Sequence, residues 1–278
     1  MTRAKYITAA VFVPFFAYLI LGAPAAALNV FVGVALSLGL LEFLSLLGLK
    51  RDWSLPFGSR ALALLCGIIV LWVQGTGSAA AAGAAAAISL AAIAIFEVAT
   101  FETLEQAPVR IALGFLAVFY VCFLGGHFIL LRNFGTDDVG AGLVAFVFVV
   151  VWLGDTGALH AGKAFGKRKL APLVSPAKSV EGLIGGLLTN IVSALIGSRF
   201  LVDGMPAVHA MALGLAVGVV AHGGDLVESL FKRAVGTKDS GTWIPGHGGL
   251  LDRIDSLAFS APVVYYYALF FLPGTPGS

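Results

Sequence analysis

Between Asp225 and Asp255 the chain carries Asp225, Glu228, Lys232, Arg233, Lys238, Asp239, Asp252, Arg253 and Asp255. No Asp, Glu, Lys or Arg stands from Pro206 to Gly224, or after Asp255. Asp225, Glu228 and Lys232 fall at i, i+3 and i+7, so they share one face if the preceding helix continues; Ser229 and Arg233 form the adjoining stripe. Asp252 and Asp255 repeat the i, i+3 spacing at the start of the next apolar stretch. Carboxylates placed this way repel unless a cation or a basic group lies between them. Such hard oxygen donors suit Mg²⁺, which takes one or two carboxylates and fills its other positions with water and substrate phosphates. Lys232, Arg233, Lys238 and Arg253 supply positive charge for an anion. The run Pro245-Gly246-His247-Gly248-Gly249 offers backbone N–H groups beside a helix start, where phosphate oxygens are readily held. Carboxylates for a metal beside Lys and Arg for phosphate are the equipment of phosphoryl or nucleotidyl transfer, in which positioning and charge neutralisation supply most of the catalysis.

An earlier stretch repeats the theme. Asp155 is expected at the end of a span, followed by Lys163, Lys167, Arg168 and Lys169, then by Ser175, Lys178 and Glu181. Gly154, Gly157, Gly162 and Gly166 are read as keeping the backbone open for close approach to a phosphate, although no P-loop or GxGxxG pattern is present. The basic residues serve equally well as topology signals and headgroup contacts. Asp225 lies in an apolar helix, where ionisable groups are costly and mark function. Glu42 invites the same argument, but the sequence identifies no partner for it. His127, His160, His209 and His222 are read as structural, and His247, set between glycines, as functional. Cys66 and Cys122 lie in apolar runs and read as small buried hydrophobes.

The elements that position these residues are membrane spans. The 278 residues are 59% hydrophobic and 12% charged, with a mean hydropathy of +0.97; soluble domains carry about 25% charged residues. At about 20 apolar residues per crossing, nine spans are predicted, near residues 6–22, 25–48, 61–77, 79–98, 110–131, 141–160, 181–201, 207–227 and 254–272. With the N-terminus in the cytoplasm, all of the 17 Lys and Arg except Arg132 and Arg199 fall on the inner side, as the positive-inside rule requires. The N-terminal apolar run reads as a first span and not as a cleaved signal. The sequence therefore predicts an all-α polytopic membrane protein with about nine transmembrane helices and a cytoplasmic N-terminus. It forms one integral membrane domain, with N-terminal spans over 1–140 and the catalytic loops over 141–278, at the cytoplasmic membrane face.

Ser229, Lys232-Arg233, Lys238-Asp239, the Pro245–Gly249 run and Asp252-Arg253-Ile254-Asp255 resemble, without a gap, the signature of the phosphatidate cytidylyltransferases, or CDP-diacylglycerol synthases. The segments around Gly154–Ala158, Phe165–Lys167 and Ser175–Gly186 are similar to that family's second cluster. The family often has an aromatic residue near Leu159, a lysine where Ala177 stands and Thr-Trp where Ser179-Val180 stand; the charged residues are all in place. The resemblance implies that CTP and phosphatidate give CDP-diacylglycerol and pyrophosphate, with Mg²⁺ required and a second cation conceivable. It implies a metal site at Asp225, Asp252 and Asp255, with Asp155 and Asp239 as further candidates. Lys232, Arg233, Lys238 and Arg253 would hold phosphates, as would Lys178 with Ser175. Ser229, Gly248 and Gly249 would contact substrate, and His247 would donate a hydrogen bond to the departing pyrophosphate. It further implies a bacterial inner membrane, no nucleic-acid partner and, since the family is often dimeric, a homodimer. Three rivals stand beside it. A cytidylyltransferase for an ether-linked isoprenoid phosphate would share the polar loops. A transporter would use Asp225 and Glu42, but the repeated halves typical of transporters are absent. A CDP-alcohol phosphotransferase lacks its sequence pattern here.

Overall fold

The computed structural model describes residues 14–202, 204–241 and 248–272. After a helical stretch over 14–21, eight helices are long and apolar enough to cross a membrane. These are α1 (Ala25–Leu47), α2 (Phe57–Gln74), α3 (Ala79–Thr100), α4 (Gln106–Arg132), α5 (Asp137–Phe165), α6 (Val180–Phe200), α7 (Ala207–Ala234) and α8 (Leu251–Phe271). They match eight of the nine predicted spans; the first predicted span lies mostly outside the described residues. The Ala-rich segment folds as a helix, α3, with Ser78 as N-cap accepting the Ala81 N–H at 3.1 Å. Large apolar side chains such as Trp72, Phe200 and Phe270 are exposed on the helices, as expected for a protein solvated by lipid.

Two departures from simple spans position polar residues. The helix α5 has 29 residues, about 43 Å at 1.5 Å per residue, and so outruns a hydrocarbon core of about 30 Å. Asp155 therefore sits inside a continuous helix and not at its end. Between α5 and α6 the chain forms a small antiparallel hairpin, β1 (Lys169–Ala171) with β2 (Ser175–Ser179), an addition to the expected all-α architecture. Glu181, in the first turn of α6, ties the loop down by accepting the N–H groups of Lys167 at 3.0 Å and Arg168 at 3.1 Å.

The chain packs as two compact units. One comprises the chain up to Leu28, Leu131–Leu230 and the part from Asp255 onward; the other comprises Asn29–Leu130 and Phe231–Ile254. Helices α7 and α8 each contribute to both. In the first unit the glycines of α5 pack against α6. A Cβ on Gly154 would strike the Asn190 amide, and one on Gly157 would strike Thr189; Gly162 lies against Ser179 and Gly182. Asn190 is 1% exposed and donates to the Val150 carbonyl at 2.8 Å. Gly154 and Gly157 thus serve close helix approach through small residues, which corrects their reading as an open phosphate loop. In the second unit, Gly67 lets α2 approach Leu40 and Cys122. A π-helical stretch over Val118–Leu124 interrupts α4, and Gln74 donates to the Phe123 carbonyl there at 2.9 Å. Such π-bulges displace backbone carbonyls from regular pairing, and the buried amide of Gln74 satisfies one. Cys66 and Cys122 are buried free thiols, as read from the sequence.

Candidate active site

Within the second unit, the segment ahead of α8 is built around Asp252. This residue occupies the first turn of α8, and its side chain is 10% exposed. Its Oδ1 accepts from Lys232 Nζ at 2.5 Å. Its Oδ2 accepts the Ser240 N–H at 3.1 Å, the Gly249 N–H at 2.8 Å and lies 3.0 Å from Ser240 Oγ. With about two lone-pair sites per oxygen, these contacts crowd Oδ2, whereas Lys232 uses one site of Oδ1. Lys232, itself 10% exposed in its side chain, reaches Asp252 because α7 continues to Ala234, as the i, i+3, i+7 spacing required.

Behind this pair lies Glu42 of α1, 3% exposed. Its carboxylate accepts the Leu250 N–H at 2.9 Å and the Leu251 N–H at 3.3 Å, and is hydrogen-bonded to the Ser240 hydroxyl. Gly249 must lack a side chain, since a Cβ there would fall on Glu42 Oε1 and Ser240 Oγ. Gly248 has φ +79°, a left-handed conformation that glycine adopts without steric cost. These two glycines were expected to aim free N–H groups at substrate. Instead the Gly249 N–H is held by Asp252, and the N–H groups that open α8 are held by Glu42. The N–H groups of Gly249, Leu250 and Leu251 are thus partnered within the protein. Arg233, Lys238, Asp239 and Arg253 stand exposed around this network, with the Arg233 guanidinium donating to the Thr237 carbonyl at 2.6 Å. His247 lies outside the described residues.

The first unit holds a second cluster. Lys178 on β2 pairs with Asp225 on α7 at 2.6 Å, their side chains 24% and 34% exposed. Ser229, one turn further along α7, donates to Asp225 Oδ1 at 3.3 Å. Asp155 stands 3.8 Å from the ring of His222, which is otherwise buried on α7 one turn before Asp225. Ser175, expected to act with Lys178, lies three residues before it on the same strand, a spacing that turns the two to opposite faces. Asp255, one turn after Asp252 on α8, accepts the Ser256 N–H at 2.6 Å. His127 and His209 are structural as read: the first contacts the Phe123 carbonyl at 2.8 Å, the second the Tyr267 hydroxyl at 3.0 Å.

Among the described residues, no three His, Cys, Asp or Glu side chains gather closely enough to hold a cation alone. That suits Mg²⁺, which uses one or two carboxylates and completes its shell with water and substrate phosphates. Asp225, partly exposed and with lone pairs beyond its contacts to Lys178 and Ser229, fits such a role; Asp252 is held by Lys232, Ser240 and Gly249 and keeps a lone pair on Oδ1. Sequence reasoning left Ser240 and the partner of Glu42 unidentified, because both depend on a contact between residues about 200 positions apart.

The helices define a polytopic membrane protein, and each unit carries a carboxylate–lysine pair. The chain belongs to the cytidylyltransferase family, whose model matches residues 3–271. It is 50% identical over 137 residues to a protein named phosphatidate cytidylyltransferase from Haemophilus influenzae, covering 48% of each chain. It is 40% identical over 156 residues to one of the same name from Bacillus subtilis, covering 56% of this chain and 57% of that one. A third relative, the uncharacterized protein YnbB of Escherichia coli, is 45% identical over 128 residues, 46% of this chain and 43% of that one. The chain thus spans about half the length of the curated relatives it matches.

Proposed function

We propose that this chain transfers the cytidylyl group of CTP to phosphatidate, releasing CDP-diacylglycerol and pyrophosphate at the cytoplasmic face of a bacterial inner membrane. The observation that carries this reading is the family match over residues 3–271, joined to a signature segment whose buried anchors leave Arg233, Lys238 and Arg253 exposed. The names of the Haemophilus and Bacillus relatives support the lipid substrate, and the partition of Lys and Arg supports the orientation.

In the reaction, a phosphate oxygen of the lipid forms a bond to the α-phosphorus of CTP. The bond from that phosphorus to the bridging oxygen breaks, and pyrophosphate leaves with the electron pair. The attacking group is already an anion, so no strong general base is needed. The barrier lies in bringing two polyanions together, which fixed positive charge lowers. Arg233, Lys238 and Arg253 bind phosphate oxygens from exposed positions. Lys232 is held by Asp252, which sets its ammonium and orients the segment. Lys178, paired with Asp225, offers a further cation; Ser229 fixes the Asp225 carboxylate. Mg²⁺ held by Asp225, with Asp255 and Asp155 as further oxygen donors, would supply neutralisation of the triphosphate charge.

The test uses the purified full chain in detergent with Mg²⁺ and CTP labelled in its α-phosphate, following label that enters the organic phase. Label that requires phosphatidate supports the proposal. Label only with an ether-linked isoprenoid phosphate keeps the chemistry and replaces the substrate. No label with either lipid, in protein that elutes as a folded species, overturns it.

A further inference from the structure

Glu42 lies far in sequence from every residue of the signature, in a helix that otherwise reads as a plain membrane span. A buried carboxylate is costly unless its lone pairs are met by donors, and here they are met entirely by the signature segment. The Leu250 and Leu251 N–H groups and the Ser240 hydroxyl all point to it. A Cβ on Gly241 would stand 3.0 Å from Glu42 Cδ, and one on Gly249 would overlap Oε1. Glu42 thus grips both flanks of the loop, one through Ser240 and one through the first N–H groups of α8. Ser240 also touches Asp252 Oδ2 at 3.0 Å, and Asp252 holds Lys232. The order of contact is Glu42, Ser240, Asp252, Lys232, from the buried end outward. The Ser240 hydroxyl has one proton and two carboxylates within reach, so its orientation couples Glu42 to Asp252.

We propose that Glu42 is a positioning residue for the nucleotidyl transfer. Through Ser240 and the start of α8, it fixes the Lys232–Asp252 pair. The inference rests on the function proposed above, because the readout of positioning is the rate of that reaction. Its structural half does not: the grip on Leu250 and Leu251 exists whatever the lipid substrate is. Glu42 touches no substrate in this account. Its loss is expected to lower kcat and leave the KM for CTP nearly unchanged, since the exposed cations remain. A displacement of about 1 Å in a catalytic group costs on the order of 10²-fold, which is the loss expected for Glu42→Ala. Glu42→Gln keeps the volume and one oxygen acceptor, so it is expected to recover part of that rate.

The experiment combines amide hydrogen exchange at Leu250 and Leu251 with initial rates, on the full chain in detergent, for wild type, Glu42→Gln, Glu42→Ala, Ser240→Ala and Glu42→Gln/Ser240→Ala. Support consists of faster exchange at both amides, a fall in kcat in the order Gln then Ala, unchanged KM, and a double variant no slower than the slower single. The Gln variant keeps the test decisive if the Ala variant does not fold. Three outcomes overturn the proposal: exchange and kcat of Glu42→Gln equal to wild type, faster exchange without loss of kcat, or an effect confined to KM. If wild type transfers no label, the functional reading fails instead. Exchange at Leu250 and Leu251 then decides alone whether Glu42 holds the loop, and unchanged exchange sinks it.

Discussion

Replacing Asp252 by Asn tests the anchoring network through the residue that carries most of it. The side chain keeps its shape but loses its charge and gains a donor. If the new amide nitrogen takes the place of Oδ1, it faces the Lys232 ammonium, 2.5 Å from the oxygen it replaces. If it takes the place of Oδ2, it faces the N–H groups of Ser240 and Gly249, at 3.1 and 2.8 Å. Either way donor meets donor, and a 10% exposed ammonium loses its counter-ion. Removing one member of a buried pair costs about 3–5 kcal/mol, and about 1.4 kcal/mol is a factor of ten. If the cost falls on the population with a correctly set loop, the rate of label transfer drops by about 10²- to 4 × 10³-fold. The thermal midpoint in detergent, followed by tryptophan fluorescence, falls as well. Adding Lys232→Met removes the orphaned cation, so the double variant is expected to regain thermal stability over Asp252→Asn. On the function proposed above it regains no activity, because Lys232 is proposed to hold a substrate phosphate. An Asp252→Asn protein that melts like wild type would refute the reasoning, since no buried charge could then have been uncovered.

Other consequences follow from the same geometry. Gly249→Ala places a methyl on Glu42 and Ser240 and is expected to destabilise the protein by about 1–3 kcal/mol, the range for overpacking, with loss of transfer activity measured by the same label assay. Lys178→Met removes a pair that is 24% and 34% exposed, so the thermal midpoint should move by less than about 1 kcal/mol equivalent. Its KM for CTP should rise about tenfold, the cost of a hydrogen bond to a charged group. Gly157→Val drives a branched side chain into Thr189; it should lower the folded yield and the thermal midpoint while the KM for CTP of the surviving protein stays at the wild-type value.

The sequence made the spans and the polar residues legible because both are local signals. Apolar length marks a helix, and i, i+3, i+7 spacing marks a face, so α7 carries Asp225, Glu228 and Lys232 as read. The glycines of α5 misled for a physical reason: glycine spacing that opens a loop to phosphate also lets one helix approach another, and Gly154 and Gly157 do the second against Asn190 and Thr189. Asp155 was placed at a span end because hydropathy marks where lipid stops and not where a helix stops. The roles of Gly248 and Gly249 were half legible. Their conformational freedom is needed, but the N–H of Gly249 faces inward to Asp252. Glu42 stood out as a charge in a span, yet its partners Ser240, Leu250 and Leu251 are about 200 residues away and no periodicity reaches that far. Asp252 reads from sequence as a metal ligand because it is a carboxylate one turn from another. Its hydrogen bonds to Lys232, Ser240 and Gly249 cannot be read from that spacing.

Cytidylyl transfer to phosphatidate is tested by following both halves of CTP in one reaction. The purified chain is incubated with phosphatidate, Mg²⁺ and CTP labelled separately in the α- and γ-phosphates. The account predicts that α-label enters the lipid while γ-label appears as pyrophosphate in equal amount, and only when phosphatidate is present. Release of γ-label as orthophosphate, or release of pyrophosphate without α-label in the lipid, would contradict it.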